Sequence, residues 1–246
     1  MPVSSGPALF LARESAGLIC VKVLAVSGIT VGVSKPQARR EATMQKATRI
    51  IYDEHRSISA VLSGLKSLAQ LCGDPAVRPD FAVLHAMVYY IDAFPEREHH
   101  PKEDCYLFER VAARDPESRA LIDALKTEHV VGARMIRDLE RALNEFELIW
   151  PKGADRFSAA VDVYAQFHWN HMRREEHELL PRAEKALTSG DWEEVNGAFA
   201  ANNEPLGDLR NTDFKALFQR ILHLAPAPIG LGDRWKPAPE VPTRAG

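Results

Sequence analysis

His99-His100-Pro101-Lys102-Glu103-Asp104-Cys105-Tyr106-Leu107-Phe108 decides the fold, because the chain repeats its pattern as His171-Met172-Arg173-Arg174-Glu175-Glu176-His177-Glu178-Leu179-Leu180. Each stretch reads His, three residues, Glu, an acidic neighbour, two residues, then two large apolar side chains. Positions i and i+4 share a helix face, so each motif aims an imidazole and a carboxylate the same way. Leu107 and Leu179 continue that face, which makes it the inward one. Two ionisable groups on a buried stripe are costly unless they are paired or hold a metal.

Each motif has a partner upstream. Asp53-Glu54-His55 and Thr127-Glu128-His129 put a further His in the preceding segment. His55 falls on a 3.6-residue stripe with Ile51 and Ile58, and His129 on one with Leu125, Gly132 and Ile136. Stripe phase favours His99 over His100 as the inward residue of its motif, His100 lying about 100 degrees away on a regular helix. His100 and His177 are accordingly expected at the surface, and His168 in the core or behind the site.

Four long helices follow from the periodicity. The first runs from Gln45 to the Gly73-Asp74-Pro75 break. The second runs from about Asp80 to Arg114, with a kink or restart expected near Pro101 because Pro95 and Pro101 remove backbone donors. The third follows an Asp115 N-cap with Pro116 at the first position and runs to about Leu148. The fourth spans about Asp155 to Leu187. Short loops make successive helices antiparallel neighbours, so the expected fold is all-α, an up-down-up-down four-helix bundle with appended C-terminal helices.

Registry supports convergence. His55 lies about 24 Å from its helix end and His99 about 28 Å from the next helix start, at ~1.5 Å per residue. The other pairs agree to within about one turn. Four imidazoles and two carboxylates at one level suit a transition metal, and carboxylates between two inward helices can bridge a pair of ions. Bridging carboxylates make zinc the weaker candidate.

These motifs resemble the hemerythrin-like HHE cation-binding family over about residues 45–188. The resemblance implies two non-haem iron ions in a di-iron centre. Its ligands are His55, His99, Glu103, His129, His171 and Glu175, with the two glutamates bridging. The implied function is to bind or sense oxygen, nitric oxide, iron or redox state, with dioxygen or nitric oxide as the small ligand. The alternative is a di-iron oxidase, a peroxidase or a nitric-oxide-handling enzyme. The chain departs from oxygen-carrying hemerythrins one turn after His129, where they have a second His and this sequence has Ala133. His168, Glu54 and Glu176 are candidates to complete the site or support it.

Composition narrows the rest. A net charge of −3 leaves no basic footprint for nucleic acid. Cys20, Cys72 and Cys105 show no paired spacing and suit a reducing, cytoplasmic setting. Residues 1–43 read as a poorly structured leader, with Met44 as an alternative start. Ala16 to Val33 is mostly apolar and reads as a poor signal peptide or a marginal membrane segment, both weakened by Lys22 and by its Gly, Ser and Thr content. The expected organisation is this leader, a bundle over 44–190, appended helices over 191–224 and a disordered tail over 225–246. Within the appended part, Ser189-Gly190-Asp191 reads as a turn before helices from Trp192 and Leu206.

Overall fold

A computed structural model describes residues 44–201, 216–227, 229–232 and 235. The leader over 1–43 and most of the linker before 216 lie outside the described residues. Four helical rods form the bundle. The first is α1 (Lys46–Leu71). The second is a continuous run of α2 (Phe81–Ile91), a π-helical stretch (Asp92–His99), α3 (His100–Lys102), a second π-helical stretch (Glu103–Phe108) and α4 (Glu109–Arg114). The third is α5 (Arg119–Ile149). The fourth joins α6 (Ala154–Arg174), a π-helical stretch (Glu175–Leu179) and α7 (Leu180–Ala186). A further helix, α8 (Ser189–Ala200), follows, and residues 216–224 are also helical. No β-strand occurs among the described residues.

Cross-rod bonds give the direction of each neighbour. His55 pairs with Glu176 while Lys66 pairs with Asp162, so the first and fourth rods are antiparallel. Lys126–Glu109 and His85–Glu147 do the same for the second and third, and His171–Glu128 and Arg156–Glu145 for the third and fourth. The fold is the expected up-down-up-down bundle.

Helix ends are secured locally. Asp80 accepts the Ala82 amide at 3.0 Å and starts α2. The start of α1 has no cap of its own side chain. Asn196 of α8 supplies one by accepting the Ala47 amide at 2.7 Å. The turn expected at Ser189–Asp191 is instead the first turn of α8. Thr188 accepts the Asp191 amide at 3.3 Å and Asp191 accepts the Thr188 amide at 2.9 Å, a capping box. Asp115 does not cap α5 directly: Pro116–Ser118 form a 3-10 turn first.

The apolar interior is in two parts. One contains Leu65, Leu84, Leu139, Phe146, Phe157 and Tyr164, and residues 216–235 contribute Leu217, Phe218, Ile221, Ile229 and Trp235 to it. The other contains Ile51, Leu107, Phe108, Ile122, Leu179 and, from α8, Trp192, Val195 and Phe199. The described part of the tail turns back. Leu231 donates to the Leu222 carbonyl at 2.7 Å and Gly232 to the Ala225 carbonyl at 2.9 Å. A Cβ at Gly230 would fall 2.4 Å from the Ala225 and Leu222 carbonyl oxygens, so the chain can fold back here only without a side chain.

The second rod departs most from a regular helix. Its donors are interrupted at Pro95 and Pro101, and the His100 amide reaches back to the Pro95 carbonyl, one residue further than in an α-helix. Pro181 stands beyond the π-helical stretch of the fourth rod, where the Leu180 amide likewise reaches back to Glu175. No proline lies within the widened stretch Glu103–Phe108.

Candidate metal centre

Burial and donor chemistry single out one layer of the bundle. His55, His99, His129 and His171 are buried there with Glu103 and Glu175. Each imidazole is held from behind by a carboxylate on its Nδ1. Glu176 lies 2.9 Å from His55 and Glu54 2.7 Å from His99. Asp104 lies 3.0 Å from His129 and Glu128 2.9 Å from His171. A carboxylate on Nδ1 fixes the proton there and leaves the Nε2 lone pair free. Arg174 in turn pairs with Glu128. Glu54 and Glu176 therefore stand behind imidazoles. The acidic residues that follow or precede the motif letters carry this supporting role, which the spacing alone did not assign to Asp104 and Glu128.

The Nε2 atoms face inward in two pairs. Those of His55 and His99 stand 3.1 Å apart, as do those of His129 and His171. Two donors ~2.1 Å from one ion, at about 90–110° to each other, are separated by roughly 3.0–3.4 Å. Between the pairs lie the carboxylates. Glu103 Oε1 is 3.3 Å from His99 and 3.9 Å from His55, while its Oε2 is 3.7 Å from His129. Glu175 Oε2 is 3.4 Å from His55, and its Oε1 is 3.2 Å from His171 and 3.7 Å from His129. Each carboxylate thus gives one oxygen to each histidine pair.

None of these four oxygens has a hydrogen-bond partner, although all are buried. Leaving one buried polar atom unsatisfied costs about 1–3 kcal/mol, more when charged. Four at one point fit a site built for cations. Two overlapping donor groups result: His55, His99, Glu103 and Glu175, and His100, Glu103, His129 and His171, the donor atoms of each within 4.8 Å of one another.

Electrostatics reflect the crowding. Burial and the Glu175 charge push the Glu103 carboxyl well above the usual range. Burial works the same way on Glu175, but the His171 charge and the close imidazoles of His129, His171 and His55 hold it well below. His171 is lifted to about 10, Glu175 and Glu128 outweighing its burial. Burial and the neighbouring His55 depress His99. Burial raises the Glu54 carboxyl to about 7.

His177 is exposed, as expected. His100 is not: it is 4 % exposed, only slightly more than His99 at 1 %. The expectation of a surface His100 assumed regular 100-degree steps, and the π-helical stretches on either side change the phase. Its Nδ1 is 3.3 Å from Glu96 Oε2. Glu96 Oε1 accepts the Tyr164 hydroxyl at 2.9 Å and lies 3.4 Å from His168 Nε2. Tyr164, a member of the apolar interior, therefore also anchors a buried carboxylate. Glu96 was missed altogether; its i, i+4 relation to His100 was the available signal. Ala133 brings no donor. Gly132, on the inward stripe, leaves room for Glu96 and His168.

No curated protein matches the chain. Residues 46–183, more than half of the sequence and all four rods of the layer just described, match the hemerythrin HHE cation binding domain, and the chain belongs to that cation-binding family.

Proposed function

We propose that the layer binds two iron ions and that this di-iron centre takes dioxygen or nitric oxide as a small ligand, for binding or sensing. His55 and His99 hold one ion, His129 and His171 the other, and Glu103 and Glu175 bridge them. One observation carries this reading: two buried carboxylates, with four unpartnered oxygens, each face both histidine pairs. A single ion would use one oxygen from each and leave the others unsatisfied. Mixed nitrogen and oxygen donors suit iron, and bridging carboxylates favour it over tetrahedral zinc. When bound, the iron pair supplies reversible redox chemistry and coordination positions for a diatomic ligand. The protein contributes orientation through the four carboxylates behind the imidazoles, and shielding through the apolar clusters around the layer.

No helix among the described residues is long and apolar enough to cross a membrane. The free thiols of Cys72 and Cys105 suit a reducing compartment, and we place the protein in the cytoplasm on that ground.

The test is iron content and the optical spectrum of protein purified with ferrous iron under reducing conditions and then exposed to air. The reading requires about two irons per chain and a near-ultraviolet charge-transfer band that dithionite removes. Uptake of one ion per chain, or of zinc in preference to iron, contradicts it.

A further inference from the structure

We propose that Tyr164 is a one-electron donor to the metal layer: hydrogen peroxide reduced there draws an electron from the Tyr164 ring, and the phenolic proton moves to Glu96. The inference rests on the di-iron reading and adds a redox role for a residue outside the ligand set.

Tyr164 shares the inward stripe of the fourth rod with His168 and His171, four and seven residues further on. Seven residues are about 10 Å of helix rise at ~1.5 Å per residue. Aromatic rings fill that interval. The Tyr164 ring centroid is 4.3 Å from that of His168, and His168 is 6.2 Å from His171. A second route passes from His168 to His100 at 5.9 Å and from His100 to His129 at 4.2 Å. Both routes are short, packed and free of intervening solvent, and both end on an imidazole of the layer.

A phenol that loses an electron becomes a strong acid, so a buried tyrosine gives one up readily only where a base takes its proton. Glu96 is that base. Its Oε1 accepts the Tyr164 hydroxyl at 2.9 Å, and both side chains are buried. Burial alone would raise the Glu96 carboxyl, but the His100 and His168 imidazoles outweigh it and keep the carboxylate ionised. Burial and the Glu96 charge push the Tyr164 phenol well above its ordinary range. At rest the pair is therefore a neutral phenol on an ionised carboxylate, and the proton crosses only when the electron leaves.

The other tyrosines are placed differently. Tyr89 and Tyr106 are exposed. Tyr52 donates to the Glu176 backbone carbonyl at 3.3 Å, a group that takes up no proton. Tyr90 packs on Phe94 and Phe218.

The step balances. Peroxide takes two electrons as its O–O bond breaks, one from a ferrous ion, which becomes ferric, and one from Tyr164. Two solvent protons complete two waters. The phenolic proton stays on Glu96, and Tyr164 is left as a neutral phenoxyl radical.

The experiment mixes ferrous, iron-loaded protein with hydrogen peroxide, freezes it rapidly and records the EPR spectrum. Wild type is expected to give an organic radical whose hyperfine pattern narrows when the protein is made with ring-deuterated tyrosine. Tyr164→Phe, which keeps the ring, loses the signal while iron content stays at the wild-type level. Glu96→Gln forms the radical about 100-fold more slowly, the scale of losing a positioned base. Should Tyr164→Phe not fold, a variant combining Tyr52→Phe, Tyr89→Phe, Tyr90→Phe and Tyr106→Phe decides it by keeping the signal. No radical in protein that carries its iron pair, a radical that persists in Tyr164→Phe, or one lost from the fourfold variant overturns the inference and leaves the di-iron reading intact. Protein that loads no iron pair overturns the reading and the inference with it.

Discussion

Glu103 and Glu175 show how single residues trade stability for a site. Their carboxylates stand together, buried, without hydrogen bonds. Glu103→Gln replaces a carboxyl that the folded, metal-free protein holds protonated beside the Glu175 charge. The variant no longer bears the cost of keeping a buried acid neutral, and metal-free it is expected to be more stable than metal-free wild type by about 1–3 kcal/mol. Its iron affinity should fall by about 10–100-fold or more. Urea melts of chelator-treated protein and competitive iron titration measure the two effects, which are predicted to have opposite signs. His171 gives a pH signature. Its pKa is about 10 in the folded, metal-free protein against an ordinary 6.5. The stabilisation from its proton is complete below 6.5 and is lost as pH rises toward 10. Between pH 7 and 9 the metal-free protein should therefore lose roughly 1.4 kcal/mol per pH unit from this residue. His55 and His129, also raised, act in the same direction. Iron-loaded protein should not show the loss, because binding has already displaced these protons. A metal-free protein that gains stability from pH 7 to 9 contradicts this assignment.

At the scale of elements, the helical stripes were legible because burial repeats every 3.6 residues along most of each rod. α1, α5 and the fourth rod taken from Ala154 to Ala186 begin and end within a few residues of the sequence reading, and all six motif residues lie in one buried layer. The second rod was harder to read. A regular helix cannot turn both His99 and His100 inward, and the sequence contains no direct sign that the backbone widens to do so. Pro95 and Pro101 gave notice of a disturbance, but prolines predict a lost bond more readily than an added residue per turn. α8 was misjudged for a different reason: Ser189-Gly190 resembles a turn, whereas Thr188 and Asp191 set the capping box. Gly132 tests how closely the third rod must approach its neighbours. Ala is the better helix former by about 1 kcal/mol. Here the added methyl meets Glu96 and His168, both buried and held by Tyr164 and His100. Gly132→Ala is predicted to destabilise the protein by about 1–3 kcal/mol, as overpacking does, despite its helix propensity. Chemical denaturation decides it; a stabilised variant would show that Glu96 is free to move.

Across the whole molecule, apolar clusters surround a polar layer that is poorly satisfied on its own. α8 joins one cluster and the helix over 216–224, with the returning tail, joins the other. Neither contribution was assigned from sequence, because short amphipathic segments do not reveal where they dock. This arrangement places the energetic deficit at the centre and the hydrophobic stabilisation on either side of it. Iron binding should then appear as global stability. At free iron about 100-fold above the dissociation constant, the gain is about 2.7 kcal/mol per independent site. Calorimetry with and without chelator should show a higher Tm for loaded protein and a single cooperative transition in each. A Tm that ignores iron would mean the layer is satisfied without it.

The central claim is that two ions lie between these side chains. Anomalous diffraction at the iron absorption edge, from crystals of iron-loaded protein, tests it most directly. The account predicts two peaks in the buried layer, one within bonding distance of His55 and His99 Nε2 and one of His129 and His171 Nε2, with Glu103 and Glu175 between them. A single peak, or peaks away from these donors, contradicts it.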